Sequence, residues 1–208
     1  MKGLIKKVVI LGGGTAGWMS AAMIKKLLGD VVDVELVESE VIGTIGVGEA
    51  TIPPIKLFNN ALGINEAEFL RETNATIKLA IKFENWKTIG KSYYHTFGAS
   101  GKSMAFCHFH HFLKRAGQLE DASHLWQYDL NYLCAEAGKF TQINSKDSIF
   151  ELPHAYHFDA SLYAKFLRKF SENIGVKRTE GMVENVQQCA ASGYIKSLTL
   201  KSGEVILG

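Results

Sequence analysis

A glycine pattern near the amino terminus constrains this chain more than any other feature. Residues 7–11 form a short β-branched run, and Gly12-Gly13-Gly14-Thr15-Ala16-Gly17 follows at once. G-x-G-x-x-G between a strand and a helix has a mechanical meaning. Gly12 permits the tight turn, Gly14 lets the main chain approach a pyrophosphate, and Gly17 lets helix and strand lie close together. The first amides of the helix then face the phosphates, and the helix dipole adds to the attraction. In residues 16–28, Trp18, Met19, Ala22 and Met23 recur at helical spacing, and Gly29 ends the run. Residues 32–38 alternate as a second strand ending in Glu38, where a carboxylate accepts hydrogen bonds from ribose hydroxyls. An acid there suits FAD or NAD and disfavours a 2′-phosphate. Strand, helix and strand fit within about thirty residues, the length of one βαβ unit. A glycine turn with a capped helix and no ligand is the competing reading; the three features together weigh against it.

The rest of the chain predicts an α/β fold. Residues 43–48 read as a glycine-rich loop, and Pro53-Pro54 opens a helix running to Leu62. Residues 76–83 alternate strictly, with Ile77, Leu79, Ile81 and Phe83 on one face and Thr76, Lys78, Ala80 and Lys82 on the other. That predicts one strand with two lysines on the same side. Residues 87–153 are aromatic-rich and irregular, with helices expected over 108–116 and 125–137. Phe106, Phe109 and Phe112 recur every third residue, the mark of a helix buried on that face. Residues 158–173 read as an amphipathic helix with the stripe Leu162, Phe166, Leu167 and Phe170, capped by Asp159 and ended by Gly175. His154 and His157 are expected at its entry. Three strand-like runs follow, 182–189, 194–200 and 204–207, separated by Ser192-Gly193 and Ser202-Gly203; they predict a β-meander. The glycine-rich loop and the meander favour FAD over NAD, by analogy with flavoproteins of the glutathione-reductase type.

Composition narrows the function classes. The chain has 208 residues, 47% hydrophobic and 21% charged, an ordinary globular balance. A net charge of +2 gives no basis for a nucleic-acid surface. Three scattered cysteines fit reduced thiols in a cytoplasmic protein rather than a disulfide framework. No run reaches membrane-spanning length. His108, His110 and His111 raise the question of a metal, but no carboxylate or cysteine arrangement completes a site, so none is expected.

Several segments taken in order resemble one family. These are Gly12-Gly13-Gly14-Thr15-Ala16-Gly17-Trp18-Met19, Gly46-Val47-Gly48-Glu49-Ala50-Thr51-Ile52-Pro53, and Lys78-Leu79-Ala80-Ile81-Lys82-Phe83-Glu84-Asn85-Trp86. Tyr94-His95-Thr96-Phe97-Gly98 and His154-Ala155-Tyr156-His157-Phe158-Asp159-Ala160 continue the match. The chain resembles the flavin-dependent tryptophan halogenases along nearly its entire length. The resemblance implies a Rossmann-like FAD-binding fold of the glutathione-reductase type with a β-meander. It makes residues 1–208 a FAD-binding halogenase module in which residues 87–153 are a helical insertion on the substrate side. A separate flavin reductase would supply FADH2; oxygen and halide would be co-substrates, and hypohalous acid would travel to a lysine that presents it to an electron-rich ring such as tryptophan or indole. Lys78 holds that lysine's place. Gly13, Thr15, Ala16, Ser39, Ile42, Ile45, Val47 and Ala50 match FAD-contacting positions, as Val183 does in the meander, while His95 and Phe97 match the indole pocket.

From the residues alone, Lys78 is a solvated strand lysine and Lys82 serves equally well as a candidate. The family's longer chains also carry a tryptophan-rich segment, a glutamate that works with the lysine, and a further sheet strand. The sequence given ends at Gly208, before all three. The expectation is therefore a truncated module that needs a missing carboxy-terminal half or a partner chain. Two other functions stay open: a flavin monooxygenase hydroxylating an aromatic substrate, and a non-catalytic FAD-binding fragment.

Overall fold

The computed structural model describes residues 5–42, 49–118, 124–143 and 150–208. In chain order the elements are β1 (Lys7–Leu11), α1 (Thr15–Leu28), β2 (Asp33–Glu38), β3 (Glu49–Ala50), α2 (Pro54–Leu62), α3 (Glu66–Glu72), β4 (Thr76–Lys78), β5 (Ala80–Glu84) and β6 (Ser92–Thr96). They continue with α4 (Phe109–Gln118), α5 (Leu130–Glu136), β7 (Ala155–Phe158), α6 (Ala160–Asn173), β8 (Lys177–Glu180), β9 (Val183–Gln188), β10 (Ile195–Leu200) and β11 (Val205–Leu207). Two compact units emerge, the first from residues 1–49, 59–75 and 158–208, the second from 50–58 and 76–157.

The first unit is built on a parallel sheet in the order β1-β2-β8. Its middle strand β2 buries Val34, Leu36 and Val37, as expected of a strand covered on both faces. Leu36 faces α1, where it lies 3.6 Å from the position a Cβ on Gly17 would take. On the other face Val37 packs with Leu198, Leu200 and Ile206 of the antiparallel meander β9-β10-β11, joined by Val9 and Val183. The predicted βαβ unit and meander are both present.

Helix α6 starts where Asp159 accepts hydrogen bonds from the Ser161 and Leu162 amides. Its most buried positions are Tyr163, Ala164, Leu167 and Ser171, whereas Leu162, Phe166 and Phe170 are only half-buried. The expected stripe is therefore displaced around the helix. The reason is a polar–aromatic anchor: Tyr163 meets Phe69 of α3 edge-on at 5.3 Å and donates to Asn59 Oδ1 at 2.9 Å.

In the second unit, the single strand expected over residues 76–83 is two. β4 pairs with β7, β5 pairs with β6, and the chain changes partner at Leu79. The alternation was real, but each half serves a different sheet. The helix expected over 125–137 is also divided: Leu125–Tyr128 is a 3-10 turn, and α5 begins only after Asp129. Asp129 is wholly buried and caps α5 through the Tyr132 amide, which interrupts the first helix and starts the second. The phenylalanine stripe is not a buried face here. Phe106 is fully exposed and precedes α4, and Phe112 is exposed as well. His157 lies on β7, which leads directly into the Asp159 cap of α6.

Among the described residues no helix is long and apolar enough to cross a membrane. Nor does any group of three or more His, Cys, Asp or Glu side chains come together as a metal site.

Candidate functional site

The glycine turn has the form a pyrophosphate needs. Gly12 sits at φ +118°, a conformation open to glycine alone, and its amide donates to Val37 O at 2.8 Å. Gly14 is the N-cap of α1, and no side chain caps the helix there. The first-turn amides are thus left for another acceptor. A Cβ on Gly14 would meet nothing within 4 Å, so open space lies before the turn; on Gly17 it would fall 1.9 Å from Gly12 O. One glycine leaves room for a ligand and the other lets helix meet strand. These residues fit a dinucleotide.

Around that turn, Glu38 ends β2 with its side chain directly against Gly13, where an added Cβ would collide with it. Arg178 holds Glu38 Oε1 at 2.6 Å and Arg168 approaches the same oxygen at 3.6 Å, so both arginines reach one oxygen. Thr15 opens α1 and donates to Ala160 O at 3.4 Å, and Ala16 follows it in the first turn. Ser39 accepts from the Ile42 amide at 3.1 Å, and Ile42 is exposed. Val183 packs into the core under the meander. Ile45 and Val47 lie outside the described residues. Ala50 closes β3 in the second unit.

Lys78 ends β4 with only 8% of its surface exposed. Its Nζ donates to Thr51 O at 2.8 Å and lies 5.6 Å from the centre of the Phe97 ring. His95 meets Phe97 at 6.5 Å between ring centres. Lys78 thus meets Thr51 and Phe97, residues distant from it in sequence. Burial lowers the Lys78 pKa from the ordinary lysine value. Lys82 differs in each respect. Its side chain is 46% exposed and pairs with Glu84 at 2.9 Å, and that hydrogen bond raises its pKa. The two lysines that the sequence left equivalent are separated by burial.

A cavity of about 400 Å³ opens beside Lys78, lined also by Ile77, Lys82, Tyr94, Phe140 and His157. Lys82 and Tyr94 face each other across β5 and β6, whereas His95 pairs with Ile81 on the other face. Neither His95 nor Phe97 is among the residues that line this cavity. His157 shares a face of the β4–β7 pair with Lys78, one diagonal away. Loss of water lowers its pKa, and the Lys78 charge lowers it further.

Two buried residues hold this region together, and sequence reasoning missed both. Asp129 Oδ2 accepts from Thr96 and Ser100, each at 2.6 Å, fixing the strand end that carries His95 and Phe97. Asn131 donates to Leu79 O at 2.9 Å and Pro153 O at 2.6 Å, fixing the residue after Lys78. Its Oδ1 lies against Gly98, where a Cβ would come within 2.4 Å. An Asp before a helix is a readable cap signal; a buried Asn inside one is not.

Comparison with known proteins assigns a family. A family model described as tryptophan halogenase matches residues 7–208. Tryptophan 7-halogenase RebH of Lentzea aerocolonigenes is 38% identical, aligning with 99% of this chain and 41% of its own length. Among solved structures, Xcc4156, a flavin-dependent halogenase from Xanthomonas campestris, is 45% identical with a TM-score of 0.92, over 99% of this chain and 41% of that one. BrvH, a flavin-dependent halogenase from Brevundimonas sp. BAL3, is 35% identical with a TM-score of 0.89, over 98% and 41%. The chain thus spans about two fifths of the length of these relatives. With a family model matching residues 7–208 and similarity running over 99% of its length, this chain belongs to the tryptophan halogenase family.

Proposed function

We propose that the protein containing this chain halogenates an electron-rich aromatic ring, tryptophan, indole or a similar compound, using FADH2 from a separate flavin reductase together with oxygen and halide. The observation that carries this reading is the buried Lys78 ammonium beside the Phe97 ring, which His95 meets in turn. It lies in the same chain as an uncapped, open glycine turn.

In this reading bound FADH2, with oxygen and halide, supplies hypohalous acid. The α1 amides and the Gly12–Gly14 turn hold the diphosphate, while Glu38 accepts from the adenosine ribose. Ser39, Ile42, Ile45, Val47, Ala50 and Val183 complete the cofactor contacts. Lys78 has three donors and no acceptor, so its ammonium holds hypohalous acid by hydrogen bonding. Burial also eases loss of its proton, and the amine then attacks the halogen, giving a haloamine and water. In either form the ring carbon takes the halogen and gives up its proton; hypohalous acid and arene become haloarene and water. Phe97 and His95 offer faces for the ring, and residues 87–153 contribute to the substrate side. Positioning of the reagent would direct it to one ring carbon.

The test is to express the longest polypeptide the gene encodes and supply it with FAD, a flavin reductase, bromide or chloride, and tryptophan or indole. Mass spectrometry should show a product carrying the halogen isotope pattern. A hydroxylated product alone would assign monooxygenation instead. Flavin binding without any product would assign a non-catalytic module.

A further inference from the structure

Thr51 follows β3 and faces Tyr156 of β7. In a hydrogen-bonded pair of an antiparallel ladder, the two opposed residues exchange both main-chain hydrogen bonds. Here only one is exchanged: the Thr51 amide donates to Tyr156 O at 3.0 Å. The reciprocal bond goes elsewhere, because the Tyr156 amide donates to Thr51 Oγ1 at 3.1 Å. That hydroxyl passes its own proton to Tyr156 O at 2.9 Å. The side chain thereby takes the place of its own main-chain carbonyl in the ladder, a substitution open to Ser and Thr because one hydroxyl both donates and accepts. The spared carbonyl accepts from Lys78 Nζ at 2.8 Å.

We propose that the Thr51 hydroxyl is a positioning group: by completing the ladder to Tyr156 it leaves the Thr51 carbonyl free to hold and orient the Lys78 ammonium. The catalytic weight of this contact rests on the proposed role of Lys78, but the contact itself does not. Tyr156 is almost wholly buried, so its amide cannot turn to water when the hydroxyl is removed. The Thr51 carbonyl is the acceptor that ladder geometry then offers, and taking it strips Lys78 of its partner. Among the described residues, the other groups around Lys78 include no carboxylate. They are the Phe97 ring, His157 on the same sheet face, and Lys82, Tyr94 and Lys139 around the cavity. A buried ammonium that loses an acceptor gives up its proton more readily, adding to the direction burial already imposes.

The experiment compares wild-type protein with Thr51→Val, which keeps the shape and removes the hydroxyl, Thr51→Ala as a second hydroxyl-free form, and Thr51→Ser, which restores the hydroxyl. The probe is competitive acetylation with trace acetic anhydride across a pH series, read by mass spectrometry on the Lys78 peptide, with no flavin or substrate required. Thr51→Val and Thr51→Ala should each raise Lys78 labelling at pH 8 by roughly threefold or more and lower its apparent pKa. Thr51→Ser should follow the wild type, and Lys82 labelling should not move. In the halogenation assay Thr51→Val should lower kcat about tenfold with substrate KM nearly unchanged, and Thr51→Ser should recover most of it. Unchanged Lys78 labelling in both hydroxyl-free forms, or Thr51→Ser behaving as they do, would overturn the proposal. Altered labelling in a protein whose wild type makes no halogenated product would uphold the positioning role and remove the halogenase reading.

Discussion

The glycine turn and the lysine region make opposite use of the chain. At the turn, backbone forms the proposed binding surface: a positive φ at Gly12, uncapped amides at the start of α1, and the absence of a Cβ at Gly14 and Gly17. At Lys78, side chains set the scene, and their partners come from distant segments: Thr51, Phe97, Asp129 and Asn131. A site made of backbone is encoded locally and can be found in six residues. A site made of buried polar side chains is encoded by the tertiary fold, and its central residue looks ordinary until its surroundings are known.

Glycine replacements test the backbone side of that comparison and carry the largest expected effect. Gly17→Ala should destabilise the chain by about 3 kcal/mol or more, since its methyl would enter the space of Gly12 O. Gly14→Ala should leave stability within about 0.5 kcal/mol, because its methyl meets only open space. It should nevertheless weaken FAD binding at least about tenfold, by blocking the approach of the diphosphate. Urea unfolding and a flavin-fluorescence titration separate the two. Equal loss of stability in both variants would mean that the open space before Gly14 is not a binding site.

Acid should distinguish the two regions next. Glu35 lies under the parallel sheet with its carboxylate 3% exposed. Burial alone would raise its pKa, but hydrogen bonds from Lys177, Lys7 and Thr179 prevail and bring it down to about 2. Its contribution is present above the unfolded value of 4.5 and is lost as pH falls toward 2, at most about 3 kcal/mol. Glu35→Gln should flatten that slope in urea melts between these pH values. A slope unchanged by the substitution would remove Glu35 as its source.

Asn131→Leu probes the side-chain region. It takes the donor from two carbonyls, Leu79 O and Pro153 O, and should cost about 2 kcal/mol. If the comparison holds, it lowers halogenation while FAD binding persists; loss of both together would mean that the regions are not separable. The smallest effect is at His157. Loss of water and then the Lys78 charge lower its pKa, so the folded form resists protonation, and stability declines as pH drops below the unfolded value of 6.5. Lys78→Met should raise the His157 titration midpoint seen by proton NMR, and an unmoved midpoint would place the two side chains out of electrostatic reach.

Much of the fold was legible because its signals are periodic or local. β1, α1, β2, the Asp159 cap and the three meander strands follow from apolar spacing and turn residues. What escaped depends on partners. The strand over 76–83 alternates without a break, yet it divides at Leu79 because its halves join different sheets, a choice that alternation does not encode. The short strands β6, β7 and β8 carry polar or aromatic residues that only pairing makes strand-like. For the site, family resemblance rather than chemistry singled out Lys78 over Lys82. The physical distinction between them, a buried ammonium on a carbonyl against an exposed one on Glu84, exists only in three dimensions.

The division of labour between the two regions is tested most directly by Lys78→Ala in the longest polypeptide the gene encodes, with two readouts on the same sample. FAD affinity should stay within about twofold of wild type, since the turn does not use this side chain, while halogenated product should fall by roughly a hundredfold or more. Halogenation that continues at the wild-type rate with the flavin still bound would contradict the account.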